Sequence, residues 1–206
     1  MAGINSFIQR IGEGVKPNMF YVQIPFPNGQ EDDDVNLLCK STSLPASNLG
    51  VIEVPFRGRT VKIVGDRTFD TWSATFFSDK EMKIRSKFES WLASMNSHEE
   101  NTAPLFEPKE GSGNYMQQML VKQLVKDGTA GDPNGKGNKV LRTYTLRHAF
   151  PTSISQIDLA YDSNDQIEEF TVEFQYSYWT VQDGTDKNLQ GWFSDLINSS
   201  SGNLDQ

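Results

Sequence analysis

The chain has 206 residues, of which 36% are hydrophobic and 22% charged, so it can form one globular domain and is too apolar to be disordered. Its 27 acidic residues outweigh 19 basic ones and give a net charge of −8, which argues against tight binding of nucleic acid or anionic lipid. No run approaches the roughly 20 apolar residues of a membrane span, so we expect no membrane binding by this chain.

The first apolar pattern is typical of a short amphipathic helix. One face of it carries Ile4, Phe7, Ile8, Ile11 and Val15. We call Ile4, Phe7, Ile8 and Ile11 the N-terminal stripe, and residues 1–16 form a separate amphipathic segment. A helix this short is marginal in water by itself, so we expect the stripe to dock across a joint between subunits or rings. Packing on its own subunit is the alternative.

The apolar runs and turn residues over 20–64 predict strands separated by turns. A strand over 20–24 leads into an acidic turn, and a returning strand over 35–40 carries the single cysteine, Cys39. One cysteine cannot form an intramolecular disulfide, and we interpret it as a buried thiol. After an irregular stretch, residues 52–64 are extended but interrupted by Pro55 and Gly58, which predicts an edge strand or a bulge.

The central part of the chain contains the clearest predicted helix. A turn at 65–67 and a strand over 68–77 precede it, and Ser78 and Glu81 have the spacing of a capping box. Helical spacing then relates Ile84, Phe88, Trp91, Leu92 and Met95. Predicted strands over 115–125 and 140–148 flank residues 126–139, whose Gly, Asn and Asp content indicates a flexible insertion at a hairpin tip.

The last strong pattern is an alternation of apolar and polar residues over 167–179, typical of a long strand. Its apolar face carries Phe170, Val172, Phe174, Tyr176 and Tyr178, and its polar face carries Thr171, Glu173, Gln175 and Ser177. An extended region over 154–160 and a turn precede it. The polar face could meet bulk water or line an aqueous space built by several copies.

Together these elements predict a mainly β fold. We expect about eight strands in an antiparallel β-sandwich or small barrel, with one flanking α-helix and a short amphipathic helix near each terminus. The β domain would cover residues 17–180. Residues 181–206 would form a C-terminal extension, with its helix at 189–197.

No motif for catalysis, a cofactor or a metal stands out. His98 and His148 lie far apart, and neither has a nucleophile or ligand motif beside it. Residues 131–137 resemble a phosphate loop, but Gly137 stands where Ser or Thr should hold magnesium. Residues 162–167 resemble the start of a calcium loop, but Ile167 replaces its tight-turn glycine. We therefore expect no enzymatic activity, no cofactor and no metal site.

Four segments in register carry a more specific signal. Residues 17–24, 39–46, 65–72 and 162–179 read PNMFYVQI, CKSTSLPA, GDRTFDTW and DSNDQIEEFTVEFQYSYW. Together they resemble the tail tube proteins of contractile-tailed bacteriophages, in the same order and over most of the chain. The inner-tube proteins of contractile injection systems and of type VI secretion are related to that family in fold.

The resemblance implies a self-assembling structural protein without catalytic residues. Its subunits would join into hexameric rings, and the rings would stack into a tail tube through which genomic DNA is ejected. The implied partners are further copies of the chain, the tail sheath, baseplate, tail-terminator and tape measure proteins, and the DNA in transit. The implied location is the virion, after assembly in the host cytoplasm.

In a ring of this kind, apolar strand faces would turn into each subunit and polar faces toward the bore. We therefore expect Thr171, Glu173 and Gln175 to face the lumen. Duplex DNA carries one negative charge per about 1.7 Å of axis, so a neutral or acidic wall would let it pass where a basic wall would hold it.

Two other interpretations stay open. An inner tube of a bacterial contractile injection system would have the same architecture and a different cargo. A β-sandwich binding module of a baseplate or receptor-binding protein would predict aromatic residues at loop tips. Here the loops are acidic and rich in glycine, and most aromatic residues lie in periodic strands.

Overall fold

The computed structural model describes residues 3–12, 14–27, 33–97, 99, 110–111, 113–126, 138–163 and 165–183. The chain divides into two compact units. One consists of residues 1–21, 122–143 and 181–206, and the other of residues 22–121 and 144–180.

The described residues form three helices and nine strands. The helices are α1 (Ile4–Ile11), α2 (Asp33–Leu38) and α3 (Lys83–Met95). The strands are β1 (Phe20–Gln23), β2 (Cys39–Thr42), β3 (Asn48–Phe56), β4 (Arg59–Thr68), β5 (Trp72–Phe77), β6 (Gln117–Lys126), β7 (Asn138–Ile154), β8 (Glu169–Gln175) and β9 (Tyr178–Asp183). Seven strands share one sheet in the order β1-β6-β7-β8-β5-β2, with β9 paired to β7. The pairs β2–β5, β5–β8 and β7–β8 are antiparallel, which confirms the predicted fold class.

The core of the larger unit lies between α3 and the apolar faces of β5 and β8. Both strands alternate between buried and more exposed side chains, as a strand with one covered face must. Phe88 of α3 reaches both strands, with ring centroids 5.4 Å from Phe76 and 5.8 Å from Phe174. The indole of Trp91 donates a hydrogen bond to the Tyr115 carbonyl at 3.0 Å, so its buried N–H is satisfied. The predicted central helix is confirmed by this packing.

The predicted long strand over 167–179 is confirmed in its alternation and wrong in its length. Phe170, Val172, Phe174 and Tyr176 are buried, but β8 ends at Gln175 and β9 begins at Tyr178. Between them, the Ser177 N–H donates to the Arg147 carbonyl of β7 at 3.0 Å. The neighbouring His148 has a positive φ of 56°, which disturbs the regular pairing there. Tyr178, expected on the apolar face, is 42% exposed.

Two local predictions before α3 are wrong. Residues 35–40 begin in α2, and β2 starts only at Cys39, because a short apolar run fits either a helix turn or a strand. Ser78 and Glu81 form no capping box, since α3 starts at Lys83 after Met82, whose φ is 51°. The Ser78 N–H instead donates to the Glu168 carbonyl at 2.9 Å.

The region predicted as an edge strand or bulge is instead a hairpin. Residues 52–64 belong to β3 and β4, and β4 continues through the predicted turn at 65–67. The strand predicted over 68–77 starts only at Trp72. The region predicted as extended over 154–160 begins within β7, which ends at Ile154, and has no regular secondary structure over 155–160. The helix α1 is confirmed. Most of the insertion at 126–139 and the helix at 189–197 lie outside the described residues.

Candidate functional site

In the larger unit, the hairpin formed by β3 and β4 carries eight exposed large apolar side chains. We call residues 48–68 the hairpin arm. Its strands pair only with each other, and all their residues except Gly65 are exposed. Arg57 and Gly58 form the two-residue turn with φ of 46° and 80°, the left-handed combination that joins twisted antiparallel strands.

The two faces of the hairpin arm differ in chemistry. Cross-strand pairing places Ile52 opposite Ile63 and Val54 opposite Val61. Together with Phe56 these side chains form what we call the apolar arm face, and each is 41% to 61% exposed. The other face carries the Glu53–Lys62 ion pair, with N and O 3.5 Å apart. The apolar arm face is thus suited to burial, whereas the other face combines this ion pair with two exposed valines, Val51 and Val64.

Toward its base the hairpin arm has a narrow waist at Gly50 and Gly65. A Cβ atom on Gly50 would lie 3.2 Å from the Asp66 carbonyl oxygen, and one on Gly65 would lie 3.1 Å from the Gly50 carbonyl carbon. The pairing register shifts between Leu49 and Val51. The two backbones therefore pass so closely here that a side chain at either position would have to push the other strand back by a few tenths of an ångström.

Hydrogen bonds fasten the base of the hairpin arm near the N-terminal end of β5. The Asn48 amide donates to Asp70 Oδ2 at 2.7 Å, and Arg67 Nη1 donates to Ser47 Oγ at 3.1 Å. The preceding segment is fixed by the indole of Trp72, which donates to the Ser43 carbonyl at 2.7 Å. The arm therefore projects from one defined end of the sheet.

The three predicted lumen residues lie together on the polar face of β8. The Thr171 hydroxyl is 2.9 Å from that of Thr75 on β5, and Gln175 Nε2 donates to Thr71 Oγ1 at 2.8 Å. Glu173 is exposed and pairs across the strands with Ser73. This face is small, hydroxyl-rich and mildly acidic. What it faces in an assembly stays a prediction.

The N-terminal stripe lies on α1 and is uncovered. Its four side chains are 52% to 75% exposed, and no residue of α1 is buried. The Gly12 N–H donates to the Ile8 carbonyl at 3.0 Å, where the helix ends. The structure thus agrees with the spacing that defined the stripe, while its docking partner stays a prediction.

Two ionisable side chains, Cys39 and Tyr176, have raised pKa values. Burial raises the pKa of the Cys39 thiol to about 12, against a weak opposing contact from its Sγ to the Ser41 carbonyl at 3.8 Å. Burial, and then the negative charge of Asp70, raise the pKa of Tyr176. These shifts disfavour the charged, reactive forms. His148 packs edge-on against Tyr178, and His98 lies outside the described residues.

Two kinds of site are absent from the described part of the chain. No group of three or more His, Cys, Asp or Glu side chains there could hold a metal ion. No described helix has the length and hydrophobicity that crossing a bilayer requires.

The hairpin arm is the surface that the sequence did not predict. Pro55 and Gly58 suggested an interrupted edge strand, and Arg57-Gly58 is not one of the usual glycine-containing turn pairs. The available signal was the symmetric apolar alternation on both sides of that pair. It places Val54 and Ile52 three and five residues before the turn, and Val61 and Ile63 three and five residues after it.

Comparisons with known proteins agree with one another. Residues 15–182 match the family model described as phage tail tube protein. The chain is 30% identical over 168 residues to tail tube protein gp19 of Enterobacteria phage T4, covering 82% of this chain and 92% of that protein. It is 29% identical over 183 residues to the tail tube protein of Serratia phage KSP90, covering 85% and 95% respectively.

The fold has relatives among solved structures as well. A chain of the sheath/tube terminator of an extracellular contractile injection system, in its extended state, superposes with a TM-score of 0.55. That match covers 82% of this chain and 96% of the other at 15% identity. At this identity the likeness shows a common fold.

Proposed function

The chain belongs to the phage tail tube protein family, and we propose that its copies assemble into stacked hexameric rings that form the tube of a contractile tail. The family is one of structural tail tube proteins. The observation that carries the proposal is the hairpin arm, an apolar surface that a solitary molecule would leave in water.

The arm supports self-assembly on two physical grounds. Its outer strand edges are open, because β3 and β4 pair only with each other among the described strands, and open edges are templates for further pairing. Its apolar arm face is a contiguous patch, of a kind that marks interaction surfaces in soluble proteins. Identical copies supply the cover most economically, because homo-oligomers repeat one contact with closed symmetry in the plane of a ring.

The N-terminal stripe is a second interaction surface between copies of the chain. Its side chains are exposed along the whole of α1, and a helix of eight residues is not stable in water without a surface to lie on. The stripe docks across a joint between subunits or rings. Several contacts together supply the buried area of a stable assembly, since obligate interfaces bury on the order of 2,000 Å² or more.

The bore of the tube is the path of genomic DNA during ejection. Thr171, Glu173 and Gln175 line it, and their neutral to acidic character does not bind the phosphate backbone. The tape measure protein occupies the bore during assembly, the sheath surrounds the tube, and baseplate and terminator proteins close its ends. The protein acts in the virion, after assembly in the host cytoplasm, and has no catalytic step, no cofactor and no membrane contact.

Electron microscopy of the purified protein in negative stain tests the proposal. We expect rings and stacks of rings with a stain-filled bore, which lengthen as concentration rises or when a baseplate-like seed is added. A protein that stays monodisperse and monomeric under both conditions would contradict the proposal.

A second candidate function is the inner tube of a bacterial contractile injection system. The fold likeness to a chain of such a system favours it. The two functions share the architecture and differ in cargo. DNA inside purified particles supports the phage tail, whereas particles free of DNA and carrying a protein cargo support the injection system.

A further inference from the structure

The hairpin arm leaves the sheet through two short segments without regular secondary structure. We call residues 43–47 the entry segment and residues 69–71 the exit segment. Every residue of the entry segment except Pro45 is exposed, and a proline has no backbone N–H with which to join a sheet. Apolar burial and strand pairing therefore do little to fix the direction in which the arm projects, which leaves that role to side-chain contacts.

Three aromatic side chains of the sheet contact the entry segment. The indole N–H of Trp72 donates to the Ser43 carbonyl at 2.7 Å, and the indole N–H of Trp179 donates to the Ala46 carbonyl at 3.0 Å. The Tyr176 hydroxyl lies 3.5 Å from the same Ala46 oxygen, a longer and weaker contact. We call Trp72, Tyr176 and Trp179 the aromatic clasp. It holds the entry segment at both of its ends.

Tyr176 contacts the exit segment as well. Its ring is buried, and the ring centroid lies 5.8 Å from that of Phe69. Burial, and second the negative charge of Asp70, raise the pKa of Tyr176, so its hydroxyl keeps a proton to donate. The Asn48 amide bonds to the same Asp70, which ties the start of the arm to the exit segment. Tyr176 thus stands between the two segments that carry the arm.

The break between β8 and β9 allows Tyr176 and Trp179 to reach the same carbonyl. In a continuous strand, side chains three residues apart point to opposite faces. Here residues 176–177 separate β8 from β9, and both side chains approach the Ala46 carbonyl oxygen. The Trp179 ring also packs edge-on against Tyr144 of β7, with centroids 5.7 Å apart, which limits the rotation of the indole. The break therefore aims two donors at the entry segment.

From this geometry we propose that Tyr176 and Trp179 are positioning residues for assembly. They lock the entry segment and so fix the direction of the hairpin arm before it meets another copy. The inference rests on the proposed self-assembly and adds the side chains that prepare the arm for it. A copy whose arm is already aligned loses less conformational freedom on joining. Trp179 contributes more than Tyr176, because its hydrogen bond to Ala46 is the shorter one.

Distances between two spin labels test whether the aromatic clasp holds the arm. The labels are carried by Arg59→Cys on the arm and Ser90→Cys on α3, both exposed positions, while the native Cys39 is buried. Double electron–electron resonance is measured below the concentration at which tubes form. Trp179→Phe removes the indole N–H and keeps an aromatic ring. We expect it to broaden the distance distribution about twofold, because one hydrogen bond of modest strength is lost.

Two further variants give the order of effects and the control. Tyr176→Phe removes only the longer contact and should broaden the distribution less than Trp179→Phe does. Tyr178→Phe removes a hydroxyl from the residue next to Trp179 and leaves both donors to Ala46 in place, so its distribution should match the parent. Thermal melting shows that every variant is folded. A merely structural role of Trp179 would lower the melting temperature without moving the arm, and a parent-like distribution in folded Trp179→Phe overturns the proposal.

Tube growth tests the assembly role. We expect the critical concentration to rise about fivefold in Trp179→Phe, since fewer copies present an aligned arm at any moment. Tyr176→Phe should show a smaller rise, and Tyr178→Phe none. A broadened distribution together with parent-like growth would show that arm direction does not limit assembly and would overturn the positioning role. A parent protein that never polymerises contradicts the proposed function and the assembly role with it, while the label distances still decide whether the clasp holds the arm.

Discussion

The substitution Val54→Asp on the hairpin arm should prevent tube growth without unfolding the subunit. Full burial of one Val, Ile or Phe side chain contributes about 1.5–3 kcal/mol. The five side chains of the apolar arm face are 41% to 61% exposed, so covering them contributes about 4–8 kcal/mol per joint. An aspartate at position 54 loses the contribution of Val54 to this free energy and adds the cost of burying a carboxylate. A net loss of about 3 kcal/mol raises the critical concentration roughly a hundredfold.

The fraction of protein that sediments as tubes, measured against total concentration, gives the critical concentration directly. Thr60→Asp is the matched control, because it adds the same charge next to Val61 but on the opposite face of the arm. The control should grow tubes far more readily than Val54→Asp. Both variants should melt within about 2 °C of the parent, as exposed substitutions do. Equal damage from both variants, or parent-like growth of Val54→Asp, would refute the assignment of the buried face.

Four further predictions concern the N-terminal stripe, the bore and, in two cases, the Cys39 thiol. Removal of residues 1–15 should leave soluble subunits or rings that no longer lengthen in electron micrographs, and unimpaired growth would contradict docking of the N-terminal stripe. Glu173→Lys should slow DNA ejection and make its rate depend on salt, while an unchanged rate and salt response would place Glu173 outside the lumen. Cys39 should resist thiol reagents at pH 8 until the chain unfolds, because a pKa of about 12 instead of 9.0 makes the thiolate roughly a thousandfold scarcer. The same shift should lower the free energy of unfolding as pH rises from 9 toward 12, since the unfolded chain loses that proton first. In urea titrations Cys39→Ala should show a weaker dependence and keep the part that the raised pKa of Tyr176 contributes.

Side-chain periodicity predicted the elements that pack against one another within the chain. The alternation in β8 and the helical spacing of Ile84, Phe88 and Trp91 both reflect a shared core, and those side chains are buried together. The stripe on α1 was equally readable, because helical spacing alone defines it. The polar grouping of Thr171, Glu173 and Gln175 followed from the same period of two.

The hairpin arm escaped the sequence reasoning for a physical reason. Its apolar alternation is indistinguishable from that of a strand that packs on its own domain, and here no described part of the chain buries it. Its turn also places Arg57, a residue with a Cβ atom, at a positive φ, where Asn, Asp or Gly would have been the usual signal. The helix α2 was missed because six residues are too few for periodicity to separate a helix from a strand.

The waist at Gly50 and Gly65 has a mechanical consequence. Gly50 and Gly65 contribute no side chains at the waist, and below that level hydrogen bonds such as Asn48 to Asp70 fasten the arm. We infer that a curved filament bends at this waist while the apolar arm face keeps its contacts. Replacing Asn48 with Ala should shorten the persistence length of filaments in micrographs, and unchanged stiffness would show that the elasticity resides elsewhere.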